Sequence, residues 1–244
     1  MFEAKFYRHD NNQVICELCH QQCRIAENKC GLCGVRWNRA NRLYTSAYGN
    51  PSALNIDPVE KKPLFHFFPG SFTYSLGTYG CNFTCGNCQN WQISQAGKTT
   101  TPDEDAAAVP VEKIIEETIG NECQSVSYTY NEPTVFAEYA LAIMKLARQN
   151  GLKNIWVSNG YMSDQCREAV IPYLDAANID LKSMDDAFYR SNCGARLQPI
   201  LDNLVKLKQE LVHLEITTLI IPTLSDDFDM LKKLADFIAD KLGD

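Results

Sequence analysis

The sequence predicts an α/β protein organised around a parallel sheet, preceded by a small cysteine-rich metal module. Three observations carry that expectation. From residue 72 onward, five short apolar or β-branched runs alternate with stretches of helical periodicity, the pattern of βαβ units. Eight of the 11 cysteines fall in two tight groups, 16–33 and 81–88. Between the groups, Pro51, Pro58, Pro63 and Pro69 prevent long helices.

Residues 1–42 carry Cys16, Cys19, Cys23, Cys30 and Cys33. Soft thiolates this close in sequence converge on one centre at little loop-closure cost. Two Cys-x-x-Cys pairs suit a tetrahedral zinc knuckle, and an additional iron–sulfur cluster carrying electrons suits the same thiolates. Arg24, Lys29, Arg36, Arg39 and Arg42 make this module locally basic, which reads as a solvated charged face. Residues 43–71 read as an irregular connecting segment, with turn signals in YGNP, DPVEKKPL and FPGS.

The core, 72–244, opens with FTYSLGTY (72–79), a strand that runs straight into the second cysteine group. A helix follows Pro110, from 111 to 119, and QSVSYTY (124–130) is the second strand. A helix from 135 to 150 ends at Gly151. LKNIWVS, the helix MSDQCREAVIPYL and the short strand NIDLK come next. A helix from about 199 to 210, the strand VHLEITTLII and the helix DMLKKLADFIADKL complete the series. Active sites in such folds gather where the carboxyl ends of the strands meet the following loops.

Composition narrows the classes. Lys plus Arg is 23 and Asp plus Glu is 30, and the net charge of -7 argues against a nucleic-acid partner. No apolar run approaches the roughly 18 residues of a membrane span. The N-terminus MFEAKFYRHDNNQ lacks the apolar core of a signal peptide, so a cytoplasmic location is expected. An odd number of cysteines without an export signal argues against disulfide staples. Cys123, Cys166 and Cys193 are scattered and read as small core residues.

Cys81-x3-Cys85-x2-Cys88 offers three thiolates on one loop after a strand, with Cys123 too distant in sequence to be a local fourth. A structural zinc or a fully ligated 4Fe-4S cluster takes four protein ligands. Three suggest a 4Fe-4S cluster with one iron open to a substrate or cofactor. A Cys3His zinc site completed by His66 is the alternative.

TYGCNFTCGNCQNW resembles the CxxxCxxC signature of radical S-adenosylmethionine (SAM) enzymes, in their pyruvate formate-lyase activating enzyme-like branch. With CNFTCGNCQNWQIS, TYNEPT and the N-terminal cysteines followed by CGVR, the chain is similar to the AmmeMemoRadiSam group of that branch. The resemblance extends from about Cys16 to the end and implies a partial, open (β/α) barrel, here with five strands where six are usual. It implies that SAM chelates the open iron and is cleaved to methionine and a 5′-deoxyadenosyl radical, which abstracts hydrogen from a substrate. It also implies an electron donor such as flavodoxin or ferredoxin, and a protein substrate in the manner of glycyl-radical activation.

Residue by residue, the resemblance places Asn131 and Glu132 at the SAM amino group, Asn159 in Ser158-Asn159-Gly160 at the ligand, and Asp180 and Lys182 in the site. Lys182 would face the SAM carboxylate. Thr217 or Thr218 would line the site. The family's aromatic before the third cysteine is Asn87 here, which leaves Phe83 or Trp91 to pack the adenine. In the N-terminal group the family's recurring set is Cys16, Cys19, Cys23 and Cys33, as zinc or second-cluster ligands. No residue is singled out as catalytic. An RNA- or small-molecule-modifying radical enzyme, and a non-catalytic metal-binding interaction module, are the alternatives.

Overall fold

A computed structural model describes residues 1–11, 13–98 and 108–243. Its centre is a six-stranded sheet of β7 (Ala53–Pro58), β8 (Phe72–Gly77), β9 (Ser125–Tyr128), β10 (Lys153–Ser158), β11 (Ala176–Asp180) and β12 (His213–Thr217), in spatial order 12-11-10-9-8-7. β8 to β12 are mutually parallel, and β7 is antiparallel to β8. The five expected strands are all present, each within a few residues of its expected bounds.

Strand register follows the alternation of side chains. On one face Leu76, Tyr128, Trp156 and Ile179 are fully buried. They pack with α3 (Ala137–Gln149) and α6 (Gln198–Gln209) through residues such as Ile143, Met144, Leu204 and Leu207. Local signals set the helix starts. Glu132 caps a tight turn over Pro133–Phe136 that leads into α3, and the Ser163 hydroxyl accepts from Cys166 N–H (3.2 Å) at the head of α4 (Asp164–Val170). Pro199 lies in the first turn of α6, where its missing N–H costs nothing.

Residues 43–71, expected as a connector, are built into the core. β7 pairs with β8 along its whole length, from Ala53 opposite Gly77 to Pro58 opposite Phe72. Pro58 sits at the end of an edge strand, where proline is tolerated, so the same prolines that read as breakers conceal a strand. The chain then crosses the sheet face opposite the helices. Val59 and Leu64 are fully buried there against Ile155 and Ala176. Pro63 carbonyl accepts from Asn178 Nδ2 (3.0 Å), and Phe65 and His66 N–H groups donate to the Glu215 carboxylate (2.9 Å each). This segment is a plug at the N-terminal half of the strands, and burying Leu64 alone contributes about 1.5–3 kcal/mol.

The N-terminal module is itself strand-built, which the cysteine spacing did not reveal. β1 (Phe2–Glu3), β5 (Arg36–Arg39) and β6 (Arg42–Thr45) form one small antiparallel sheet, and β2 (Tyr7–Asp10), β3 (Gln13–Cys16) and β4 (Arg24–Ile25) form another. Arg36, expected on a solvated face, is 1% exposed; it donates to both Glu138 carboxylate oxygens of α3 (2.9 and 3.0 Å) and to the Lys5 carbonyl. The module is therefore docked on the barrel helices through a buried ion pair. Among the described residues no helix is long and apolar enough to cross a membrane.

Candidate metal centre

The loop 78–90 leaves β8 and returns into α1 (Trp91–Ala96), a short helix the sequence patterning missed. Cys81, Cys85 and Cys88 lie on it, each partly exposed. Phe83 N–H donates to Cys81 Sγ (3.4 Å), and Cys88 Sγ lies 3.4 Å from Ser94 Oγ. Burial pushes the Cys81 thiol well above its ordinary range, and the Glu132 carboxylate and the other two thiols push the same way. Three half-buried thiols on one loop, with the Lys98 and Lys182 ammonium groups near enough to favour their thiolates, form a soft donor set of the kind an iron–sulfur cluster takes, and in that sense these residues fit one.

Each neighbouring strand end holds this loop in place. From the end of β9, Asn131 Nδ2 donates to the Gly80 carbonyl (2.8 Å) while its Oδ1 accepts from Thr78 N–H (3.1 Å). From the end of β10, Asn159 Nδ2 donates to Asn82 Oδ1 (2.8 Å). Gln21 of the N-terminal module donates to the Asn82 and Gly194 carbonyls (2.9 and 2.8 Å). After α5 (Asp186–Phe188), a wide turn over Tyr189–Cys193 closes the other side: Thr84 N–H donates to the Cys193 carbonyl (2.9 Å) and Gly86 N–H to the Asn192 carbonyl (3.1 Å).

Glu132 is 2% exposed, and its carboxylate accepts from Thr134 N–H (3.0 Å), Thr134 Oγ1 (2.5 Å), Ser158 Oγ (2.8 Å) and Asn159 N–H (2.8 Å). Burial raises its pKa, and these donors oppose the rise. In this arrangement Glu132 ties the ends of β9 and β10 together. Asp180, the last residue of β11, forms an ion pair (2.7 Å) with Lys182 just beyond the strand. Burial alone would lower the Lys182 pKa, but Asp180 outweighs it and holds the ammonium above its ordinary value, with Cys85 adding to the effect. Lys182 N–H donates to Tyr189 Oη (2.8 Å).

Some expectations are redirected. Phe83 is buried in edge-to-face contact with Tyr161 (5.2 Å) and Tyr189 (6.5 Å), whereas Trp91 is 61% exposed beside the loop. Gly160 (φ +72°) serves packing, because a Cβ there would lie 2.9 Å from Ile179 Cγ2. Thr217 bonds to Asn178 and Thr218 to the Leu181 carbonyl. Cys193, expected as a bland core residue, is fully buried but sits close enough to Cys85 that each thiol perturbs the other, Cys85 upward and Cys193 downward. No local signal could have shown this across so long a sequence separation.

In the N-terminal group, Cys16, Cys19, Cys23 and Cys33 line one small cavity of about 10 Å³, and Cys30 does not. Burial first, then the neighbouring thiols, push Cys33 up to about 12. Leu32 N–H donates to Cys23 Sγ (3.4 Å). Among the described residues no group of three or more His, Cys, Asp or Glu side chains is drawn together tightly enough to hold a single metal ion as it stands. The thiolates of a four-iron cluster bind different irons and stand farther apart than ligands of one ion, so this bears on a zinc site more than on Cys81, Cys85 and Cys88.

A family model described as the Radical SAM superfamily matches residues 75–238. An uncharacterized protein of Methanocaldococcus jannaschii is 41% identical over 247 residues, spanning 100% of this chain and 72% of its own length. The pyruvate formate-lyase-activating enzyme of Clostridium pasteurianum is 26% identical over 162 residues, 65% of this chain and 66% of its own. Across the activating enzymes it matches, the chain spans between 37% and 66% of their length. Streptococcus suis SuiB bound to S-adenosylmethionine shares the fold, with a TM-score of 0.51 and 16% identity over 68% of this chain and 38% of that one.

Proposed function

The chain belongs to the radical SAM superfamily and is an enzyme of that class, and we propose that it uses a 4Fe-4S cluster on Cys81, Cys85 and Cys88 to cleave SAM and abstract hydrogen from a protein substrate. The observation that carries this reading is the cysteine loop itself. Three thiols follow the first parallel strand, and hydrogen bonds from the next two strand ends and the turn after α5 hold the loop through the Gly80 carbonyl, the Asn82 side chain and the Thr84 and Gly86 N–H groups. When bound, the cluster and SAM supply the electron transfer that breaks a carbon–sulfur bond and yields the 5′-deoxyadenosyl radical.

The chain's own residues do the rest. Asn131 and Asn159 set the loop through Gly80 and Asn82, and so are positioning residues, their own amide oxygens held by Thr78 N–H and Tyr161 N–H. Glu132 fixes Asn159 through its backbone N–H. Lys182, charged and paired with Asp180, supplies the cation that a SAM carboxylate needs. Trp91, 61% exposed beside the loop, is an aromatic open to the adenine. The relative named as a pyruvate formate-lyase-activating enzyme acts on an enzyme, which supports a protein substrate, and the chemistry needs an electron donor of the flavodoxin or ferredoxin kind.

Cys16, Cys19, Cys23 and Cys33 are proposed as the ligands of a second metal centre, zinc or iron–sulfur, supported by the cavity they share. The test of the main reading is anaerobic reconstitution with iron and sulfide, followed by electron paramagnetic resonance of the reduced protein with and without SAM. A 4Fe-4S signal that SAM shifts, and that Cys85→Ala removes, is the expected result. A signal indifferent to SAM would exclude the reading.

A further inference from the structure

Between the N-terminal module and the start of α6 lies an open groove of about 570 Å³, within the ~300–1,000 Å³ of natural ligand sites. The module supplies His20, Gln21 and Gln22 to its lining, and the stretch between α5 and α6 supplies Arg190 and Arg196. Among the described residues no carboxylate lines this groove, although the chain carries a net charge of -7. Asp186, the acid near both arginines, has its oxygens taken: Oδ2 accepts from Arg190 Nε (2.6 Å) and Oδ1 from Leu197 N–H (2.9 Å). That contact engages Arg190 through Nε and leaves its two terminal nitrogens for a ligand, while Arg196 is exposed and makes no ion pair with another described residue. Asp164 and Asp202, the acids near His20, are bonded to Arg167 and Gln198 (2.6 and 2.8 Å).

The groove adjoins the cysteine loop through its own walls. Gln21 Nε2 donates to the Asn82 and Gly194 carbonyls, and Gly194, which also lines the groove, lies so near the loop that a Cβ there would come 2.7 Å from Thr84 Oγ1. Two guanidinium groups in a lining without acids recognise carboxylates, through charge-assisted and bidentate hydrogen bonds. A nucleic acid offers anions too, but its phosphates run on past the groove into the field of a net-acidic chain. An acidic stretch of protein keeps its charge local. We propose that this groove docks an Asp- or Glu-bearing segment of the protein substrate, anchored by Arg190 and Arg196, and that the N-terminal module thereby forms part of the substrate site. The inference rests on the protein-substrate reading above and deepens it. The substrate chain flanking that segment is delivered beside the cysteine loop.

The test reads binding to the full chain by fluorescence anisotropy at low salt, where such contacts are least screened. The probes are a fluorescein-labelled peptide of alternating Glu and Gly, its Gln and Gly counterpart, and an oligothymidylate of equal charge. Arg196→Gln, alone and together with Arg190→Gln, removes the anchors, and Arg42→Gln removes the same charge from an exposed position off the groove. Thermal melting and circular dichroism check that each variant is folded, and the exposed Arg196 can be replaced without touching the core. The expected result is that the Glu peptide binds and the Gln peptide does not. The double variant should bind the Glu peptide about tenfold more weakly, Arg196→Gln should fall between, and Arg42→Gln should match wild type. Equal binding of the two peptides, or a loss with Arg42→Gln as large as with the double variant, overturns the inference. Tighter binding of the oligothymidylate through the same arginines overturns it in favour of a nucleic acid. None of these readings needs the cluster or SAM, so failure here leaves the radical SAM reading standing, and a resonance signal indifferent to SAM removes that reading whatever the groove binds.

Discussion

Gly80, the residue before the first cysteine of the cluster loop, lies against the carbonyl oxygen of Cys33, so that a Cβ at position 80 would come 2.5 Å from it. The contact is repeated nearby, where a Cβ on Gly34 would meet Gly97 backbone at 2.4 Å. The two cysteine groups are thus packed backbone to backbone through glycines, and Lys98 feels the charge of Cys81 and Cys33 alike.

Gly80→Ala should therefore misplace the loop. Position 80 has φ +92° as well as no room, so both strain and overlap act against a side chain. We expect at least about 1–3 kcal/mol of destabilisation and a loss of iron uptake, read by urea unfolding and by iron per chain after reconstitution. Full uptake at unchanged stability would contradict the packing described.

Metal content should sort the N-terminal cysteines. Cys16→Ser, Cys19→Ser, Cys23→Ser and Cys33→Ser should each lower the metal bound by that module, and Cys30→Ser should not, since Cys30 lies off their shared cavity. Elemental analysis of purified protein distinguishes zinc from iron in the same measurement.

Asp57 should govern the acid limb of stability. Burial alone would raise its pKa, but hydrogen bonds from Lys61, Lys62 and Tyr130 outweigh that and hold the carboxyl far below its ordinary 3.8. A depressed carboxyl contributes stability that is full above the unfolded value and is lost as pH falls below about 4 toward the folded one. Asp57→Asn should cost about 3–5 kcal/mol at pH 7, because Lys62, 1% exposed, loses its charged partner. It should also flatten the slope of stability against pH in acid, and urea titrations from pH 3 to 7 would show whether it does.

The module and the barrel should prove inseparable. Arg36 and Glu138 are both about 1% exposed in side chain, and deleting residues 1–42 removes both partners of Glu138 and bares the apolar core that Val14, Leu18, Ile25 and Val35 share with the barrel helices. Arg36→Met is expected to cost about 3–5 kcal/mol, because the module stays docked and Glu138 is left buried without its charged partner. A truncated 43–244 chain that unfolds cooperatively at wild-type stability would refute it.

Much of this architecture was legible because periodicity is local. The alternation in FTYSLG and the spacing of apolar residues in α3 and α6 are written in consecutive residues, and so is the three-cysteine loop. What escaped is non-local. β7 has mixed burial and a terminal proline, and becomes a strand only because β8 is there to pair with it. Arg36 reads as surface charge until Glu138 arrives from α3. Cys193 reads as a small apolar residue until the turn after α5 brings it to Cys85. Glu132 was legible as important, yet its four donors come from side chains and backbone whose meeting depends on the register of β9 and β10.

The plug of Val59–Phe67 has a further consequence for traffic. With Val59 and Leu64 packed on Ile155 and Ala176, the N-terminal half of that sheet face is covered, which leaves the carboxyl ends of the strands as the side from which a ligand would approach the cysteine loop. On the proposed reading, methionine and 5′-deoxyadenosine would share that approach with incoming SAM and should compete with it for binding.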